Sequence, residues 1–403
     1  MALASRVGTA RVFGRVLLPT LAKGVIVRRP GVLAFEQRVQ ADEAAIRTVA
    51  ALRAEHGPGP VRLRVPGRSV ALVVSVEDVV RLLDETPEVF APATAEKRAA
   101  LRHFQPHGSL ATRGAGRRER RRFNEEALRP ENADWERAVR DEVDLLVRHA
   151  RSTGVLTWDA FSQAWWRVAR RIVFGNGARG DEELTAELGA LRADANWAYL
   201  RPRREGLRRR FEERVRGHAE RGEAGGLAHG RAVEDVVEQA PHWLFAFDAA
   251  GIVSMRALAV GAAGDEPGSV SVLESARLWP TTPVILREST RETSWHGEVL
   301  PAGTTFVVFA PYFHRAHGDS YRPDLWPQGA PGVVPFSGGP AVCPGRDLVL
   351  ASAGLAVEVL REQLVFRKRL REPLPATLDH FALELEVATP EDVMPRAHAG
   401  RGD

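Results

Sequence analysis

The chain has 403 residues, 44% hydrophobic and 27% charged, the balance of a soluble globular protein long enough for one large core or two domains. Its net charge is only +4 and its cations are almost all arginine, with lysine at Lys23, Lys97 and Lys368 alone, so nucleic acid is not indicated as a partner. A single cysteine excludes a disulfide scaffold and a Cys-rich zinc site, and it fits a reducing cytoplasm.

In chain order, residues 1–34 hold no window of about 18 uninterrupted apolar residues, because Arg6, Arg11, Arg15, Lys23, Arg28 and Arg29 interrupt them. They also lack the apolar stretch and cleavage site of a signal peptide, so they read as an irregular arm with no membrane span. Residues 40–56 have helical spacing and stop at Gly57-Pro58-Gly59. Residues 61–65 and 69–74 are rich in β-branched residues around Pro66-Gly67, a hairpin signal, and residues 76–85 come next as a short helix. Helical patterns cover residues 118–155 and 158–174. Residues 196–222 are arginine-rich and read as the solvated face of a long helix, salt-bridged through Glu205, Glu212 and Glu213.

Residues 233–260 form a long apolar helix, and residues 261–268 read as a linker. A short helix is expected at residues 270–279, strands at 283–286 and 304–309, a helix at 346–362 and a strand pair near 382–387. The expected class is mainly α with small β-sheets, in one domain spanning residues 1–403.

The most informative segment is Pro335-Phe336-Ser337-Gly338-Gly339-Pro340-Ala341-Val342-Cys343-Pro344-Gly345. Glycines on both sides of the one sulfur describe a tight loop whose backbone can approach something flat and large. A free cysteine is most often a small buried hydrophobe, but a thiolate held by backbone N–H groups at a helix start is a soft metal ligand. With no second cysteine, it suits the axial position of haem iron.

This loop resembles the haem-ligand signature of the cytochrome P450 family, Phe-x-x-Gly-x-(Arg or His)-x-Cys-x-Gly. Phe336, Gly339, Cys343 and Gly345 match it, and Ala341 stands where the Arg or His is expected. Upstream, Glu274-Ser275-Ala276-Arg277 resembles the family's Glu-x-x-Arg helix, which implies a buried structural ion pair. The family's third partner is an Arg; its place falls on Leu325, with Arg322 a weak substitute, so that network looks incomplete.

The resemblance also implies residue roles at a haem b cofactor. Arg287, Arg117 and Arg121 fall where the family keeps propionate ligands, the last two one helical turn apart. The oxygen-activating stretch falls on residues 246–250, which puts Ala249 and Ala250 on the acid and alcohol positions, followed by Gly251. A rival register keeps a hydroxyl at Ser254. Asp248 is one position out of place and should point about 100° away. The interval from Gly251 to Glu274 is short for the family, and residues 99–104 and 197–200 are expected to line the substrate pocket.

Taken together, the resemblance implies a cytoplasmic oxidoreductase with a cytochrome P450-like haem-thiolate fold. It would monooxygenate a small molecule, of secondary metabolism, with electrons from a separate ferredoxin and ferredoxin reductase. No flavin or nicotinamide motif is fused to it. The alternatives are a peroxide-driven or oxidative-coupling haem-thiolate enzyme, and an impaired scaffold that serves a partner enzyme.

Overall fold

The computed structural model describes residues 3–260, 266–367 and 370–388. Four long helices, Trp135–Thr153, Trp158–Phe174, Val233–Val260 and Arg346–Gln363, pack against one another around the main core. Among the described residues, Val233–Val260 is the one helix long and apolar enough to cross a membrane. Most of it is buried inside the protein, as a central core helix must be. The helix Gly268–Leu278 lies across Arg346–Gln363, and the crossing depends on glycine: a Cβ at Gly268 would collide with the Gly354 carbonyl oxygen.

Helices dominate and the strands are few and short, as expected. Five strands form one sheet in the order Val61–Val65, Arg68–Val73, Thr305–Phe309, Val284–Ser289 and Phe90–Ala91. The hairpin read around Pro66-Gly67 is present, with Val61 opposite Leu72 and Val65 opposite Arg68. The second strand pairs with Thr305–Phe309 in parallel, and all the other pairings in this sheet are antiparallel.

The structure corrects several boundaries. The first 34 residues are not irregular: Arg6–Val12, a π-turn at Phe13–Leu17 and Leu18–Lys23 run on as one helix, and Pro30–Val39 is a second. Ala4, Gly8, Val12, Val16 and Thr20 recur every four residues and form its buried side. The stretch 118–155 is two helices, Gly114–Ala127 and Trp135–Thr153, parted at Pro130. In the arginine-rich stretch the helix begins only at Glu205. Residues 261–265 of the expected linker lie outside the described residues. Near the C-terminus a single strand, Glu384–Ala388, pairs with both Val155–Thr157 and Val365–Phe366.

Candidate active site

The glycine-rich loop is held from both ends. The Cys343 N–H donates to the Phe336 carbonyl at 2.9 Å, and the Cys343 carbonyl accepts from Arg346 N–H as the helix Arg346–Gln363 begins. Gly339 has φ +57°, and a Cβ there would collide with the Leu83 carbonyl oxygen, so this position requires glycine. Ser337 also adopts a left-handed conformation, φ +63°, and its hydroxyl accepts from Arg287 Nη2 at 2.8 Å. Burial pushes the Cys343 thiol up, while the Gly345 N–H and the Arg121 guanidinium pull it down. A cation placed against the sulfur would reverse the burial effect.

Three cations gather here, and no salt bridge among the described residues pairs any of them with a carboxylate. Arg287 is buried and donates to Thr86 Oγ1 and Ser337 Oγ; burial, then the charge of Arg117, pushes its pKa down to about 10. Arg117 is buried, and its Nε has no hydrogen-bond partner. Burial and then Arg121 depress its pKa. Lys97 is depressed well below the usual lysine range by burial, then by Arg287, with Arg117 adding to the effect. Two of the nearby carboxylates are engaged elsewhere, Glu96 by Arg68 at 2.6 Å and Glu125 by Arg121 at 2.6 Å, and Glu88 acts on Arg117 without a salt bridge to it.

Buried charge that is not paired is costly, so this cluster suits an anionic group that completes it. Among the described residues no group of three His, Cys, Asp or Glu side chains could hold a metal ion. Iron here would have one protein ligand, Cys343, and the rest of its coordination from a macrocycle whose carboxylates meet these cations. On this test the donor set fits haem. Lys97 escaped the sequence reading, although it is one of only three lysines in the chain.

The central helix is set in phase by two contacts. Trp165 Nε1 donates to the Phe247 carbonyl at 2.6 Å, and a Cβ at Gly251 would lie 2.6 Å from Trp165 Cδ1, so Phe247 and Gly251 face the bundle. Asp248 pairs with Arg192 at 2.6 Å on the neighbouring helix Glu182–Ala195. The opposite side carries His242, Phe245, Ala246 and Ala249, all partly exposed and spaced at i, i+3, i+4 and i+7. This is the face open to a ligand.

These contacts separate the expected site residues. Ala249 is on the open face. Ala250 and Gly251 are buried against the bundle, and the buried Ser254 hydroxyl donates to the Ala250 carbonyl at 2.9 Å. Ala250, Gly251 and Ser254 are therefore turned away from the cleft, because the phase is fixed by Trp165, which is distant in sequence. Of the expected pocket segments, Phe104 is buried and meets Phe245 edge to face at 6.4 Å. Tyr199 and Leu200 are instead 71% and 77% exposed. His242 also escaped the sequence reading; burial depresses its pKa to about 4, its Nδ1 has no partner, and its ring meets Phe245 at 5.5 Å.

Beneath the loop, Glu274 and Arg277 are fully buried and form a two-pronged pair with both distances 2.8 Å. The network is complete, contrary to the expectation. Glu274 also accepts from the Arg322 backbone N–H at 2.7 Å and from Trp326 Nε1 at 2.9 Å. Arg277 donates to the carbonyls of His314, Gly318 and Ser320. The Arg322 side chain plays no part and pairs with Asp324. His314 links this network to the cysteine loop, with Nδ1–H to the Arg277 carbonyl at 3.2 Å and Nε2 accepting the Val334 N–H at 2.9 Å.

No protein-family model matches the chain. A segment is 32% identical over 114 residues to cytochrome P450 monooxygenase milC of Cordyceps militaris, covering 23% of this chain and 21% of that protein. Another is 31% identical over 113 residues to the mitochondrial cytochrome P450 4e5 of Drosophila mettleri, covering 26% and 20%. The chain thus spans about a fifth of the length of the curated relatives it matches. Solved structures agree over much more of it. CYP175A1 from Thermus thermophilus superposes with a TM-score of 0.63 at 21% identity, over 88% of this chain and 97% of that one. A cyanobacterial CYP120A1 with retinoic acid bound gives 0.66 at 14% identity, over 84% and 93%.

Proposed function

We propose that this chain, which has the cytochrome P450 fold, is a haem-thiolate oxidoreductase that inserts one oxygen atom into a small organic substrate. The observation that carries this reading is the bond from Arg287 to Ser337 in the Cys343 loop, with buried Arg117 close enough to depress Arg287 and Arg287 close enough to depress half-buried Lys97. Haem b bound there would supply the oxygen chemistry that amino-acid side chains lack. Cys343 would hold the iron, and Lys97, Arg117 and Arg287 would hold the two carboxylates, with Arg121 at the cysteine side. Phe245, Ala246 and Ala249 would orient the apolar part of a substrate and exclude water. A separate ferredoxin-type donor in the cytoplasm would deliver the electrons.

A specific observation favours a second reading, oxidation driven by peroxide. The open helix face has no hydroxyl or carboxylate: Ala249 lies on it, Asp248 is paired with Arg192, and Ser254 is turned inward. Hydroxylation by O₂ consumes two protons and two electrons for each substrate, RH + O₂ + 2 e⁻ + 2 H⁺ → ROH + H₂O. With peroxide the balance is RH + H₂O₂ → ROH + H₂O and no net proton is drawn. A face with no hydroxyl or carboxylate, whose one imidazole, His242, is depressed by burial to about 4, suits the second better.

The reduced carbon-monoxide difference spectrum tests the shared premise. The wild type should show the thiolate-type band, and Cys343→Ala should lose it. An unchanged band in that variant, or no haem uptake by the wild type, overturns the proposal, and the second outcome favours a scaffold. Product formed with peroxide alone, at a rate matching the reductant-driven reaction, selects the second reading.

A further inference from the structure

Of the four side chains on the open face of the central helix, only His242 is polar, and the proposed chemistry gives it no task. Its ring meets Phe245 edge to face at 5.5 Å, with the planes at 83°. Nδ1 is enclosed by the protein without a hydrogen-bond partner, and among the described residues Nε2 makes no hydrogen bond either. A half-buried imidazole in this state has lost hydration without replacement, a cost that a bound ligand can remove.

The surroundings narrow what that ligand is. Burial, then the charges of Arg192 and Lys97, keep the imidazole neutral at pH 7. A neutral imidazole offers one N–H and one lone pair. A hydroxyl both donates and accepts, so it satisfies either tautomer, whereas an ammonium meets only the lone pair and a carboxylate only the N–H. The two cations also repel an ammonium. They do not make a carboxylate site. Arg192 is closed by Asp248 at 2.6 Å and by the Ile26 carbonyl at 3.0 Å, and Lys97 donates to the Leu286 carbonyl at 3.2 Å. The rest of the face is aromatic or small: Phe104 meets Phe245 edge to face at 6.4 Å, and Ala246 and Ala249 add only a methyl group each. Methyl groups beside aromatic edges leave space for a flat ring, which gains edge-to-face contacts of its own.

We propose that His242 determines the specificity of the cleft and selects a phenol, whose ring lies against Phe245 and Ala246 and whose hydroxyl bonds the imidazole. A para-substituent then extends towards Ala249, seven residues or about 10 Å further along the helix. Resting on the haem-thiolate reading of the cleft, this assignment adds the chemical class of its substrate.

The test is calorimetric titration of the haem-loaded full chain with para-ethylphenol, para-ethyltoluene, para-ethylbenzylamine and para-ethylbenzoate. The phenol should bind roughly tenfold or more tighter than the toluene, which has the same shape without the hydroxyl, and tighter than either ion. His242→Phe should abolish the preference for the phenol, and His242→Gln, which keeps a donor and an acceptor, should restore much of it. Equal affinity for phenol and toluene, a preference that survives His242→Phe, or tighter binding of either ion overturns the proposal. The reduced carbon-monoxide spectrum of the same samples separates this assignment from the reading beneath it. A thiolate-type band without the preference overturns the phenol assignment alone, and a wild type without the band overturns both.

Discussion

Asp248 and Arg192 close a 2.6 Å ion pair across the top of the central helix, and this pair decides where the chemistry of that helix can be. Arg192 is almost fully buried, donates also to the Ile26 carbonyl, and lies over the Phe245 ring at 4.3 Å. With Asp248 turned to Arg192 and Gly251 turned to Trp165, Ala249 is left on the open face.

Ala249→Thr should therefore raise the ratio of product formed to reductant consumed, by putting a hydroxyl on the open face. Ala250→Thr should not. Ala250 is 1% exposed and packed into the bundle, so the added atoms should cost about 1–3 kcal/mol of stability with no gain in coupling. Product yield per reductant and urea midpoints for both variants check the assignment. Improved coupling in Ala250→Thr alone would show that the helix phase is wrong.

Trp326 is the unexpected member of the Glu274 network. Trp326→Phe keeps the ring but removes the N–H that satisfies Glu274 Oε1, and should destabilise the fold by about 1–3 kcal/mol, the cost of a lost bond to a buried charge. Glu274→Gln should cost more, since it leaves Arg277 buried without its counter-charge. The order of the two denaturation midpoints is the measurement.

Acid should loosen the fold through its buried imidazoles. Burial depresses His314 to about 3 and His380 to about 2, both from an ordinary value of 6.5. The unfolded chain then binds more protons than the folded one below about pH 6.5, so stability is full above that value and falls as the pH drops. Each histidine contributes up to about 1.4 kcal/mol per pH unit between 6.5 and its folded value. His314→Gln should flatten the acid limb of a stability curve, read as urea midpoints over a pH series.

Features that could be read from the sequence had their cause close by in the chain. The cysteine loop announces itself because Cys343 reaches back to Phe336 within one short turn, although the Leu83 carbonyl that demands glycine at Gly339 comes from far away in the chain. Glu274 and Arg277 share a helix face by spacing alone. The phase of the central helix was hidden because Trp165 and Arg192 set it from other helices. The third partner of Glu274 was hidden because an indole and a backbone N–H replace an arginine, which no motif encodes. Lys97 meets Arg287 and Arg117 only once the sheet and the helix Gly114–Ala127 have come together. The N-terminal helix was missed although its four-residue stripe was present, because arginine and proline interruptions masked its small buried residues.

Arg117 gives the sharpest test of the cation cluster, because its removal should act in opposite directions with and without cofactor. It is 6% exposed, and its Nε is unpartnered. In the haem-free protein it repels Arg121, Arg287 and Lys97, so Arg117→Leu should raise the melting temperature. In the haem-loaded protein the same guanidinium should pair with a carboxylate, and its loss should weaken haem retention by roughly tenfold or more, the scale of a charge-assisted hydrogen bond of about 1.5–3 kcal/mol. Thermal melts of the haem-free form and transfer of haem to a scavenging globin read the two arms separately. A variant that lowers the haem-free melting temperature and leaves haem transfer unchanged would show that Arg117 is an ordinary structural cation.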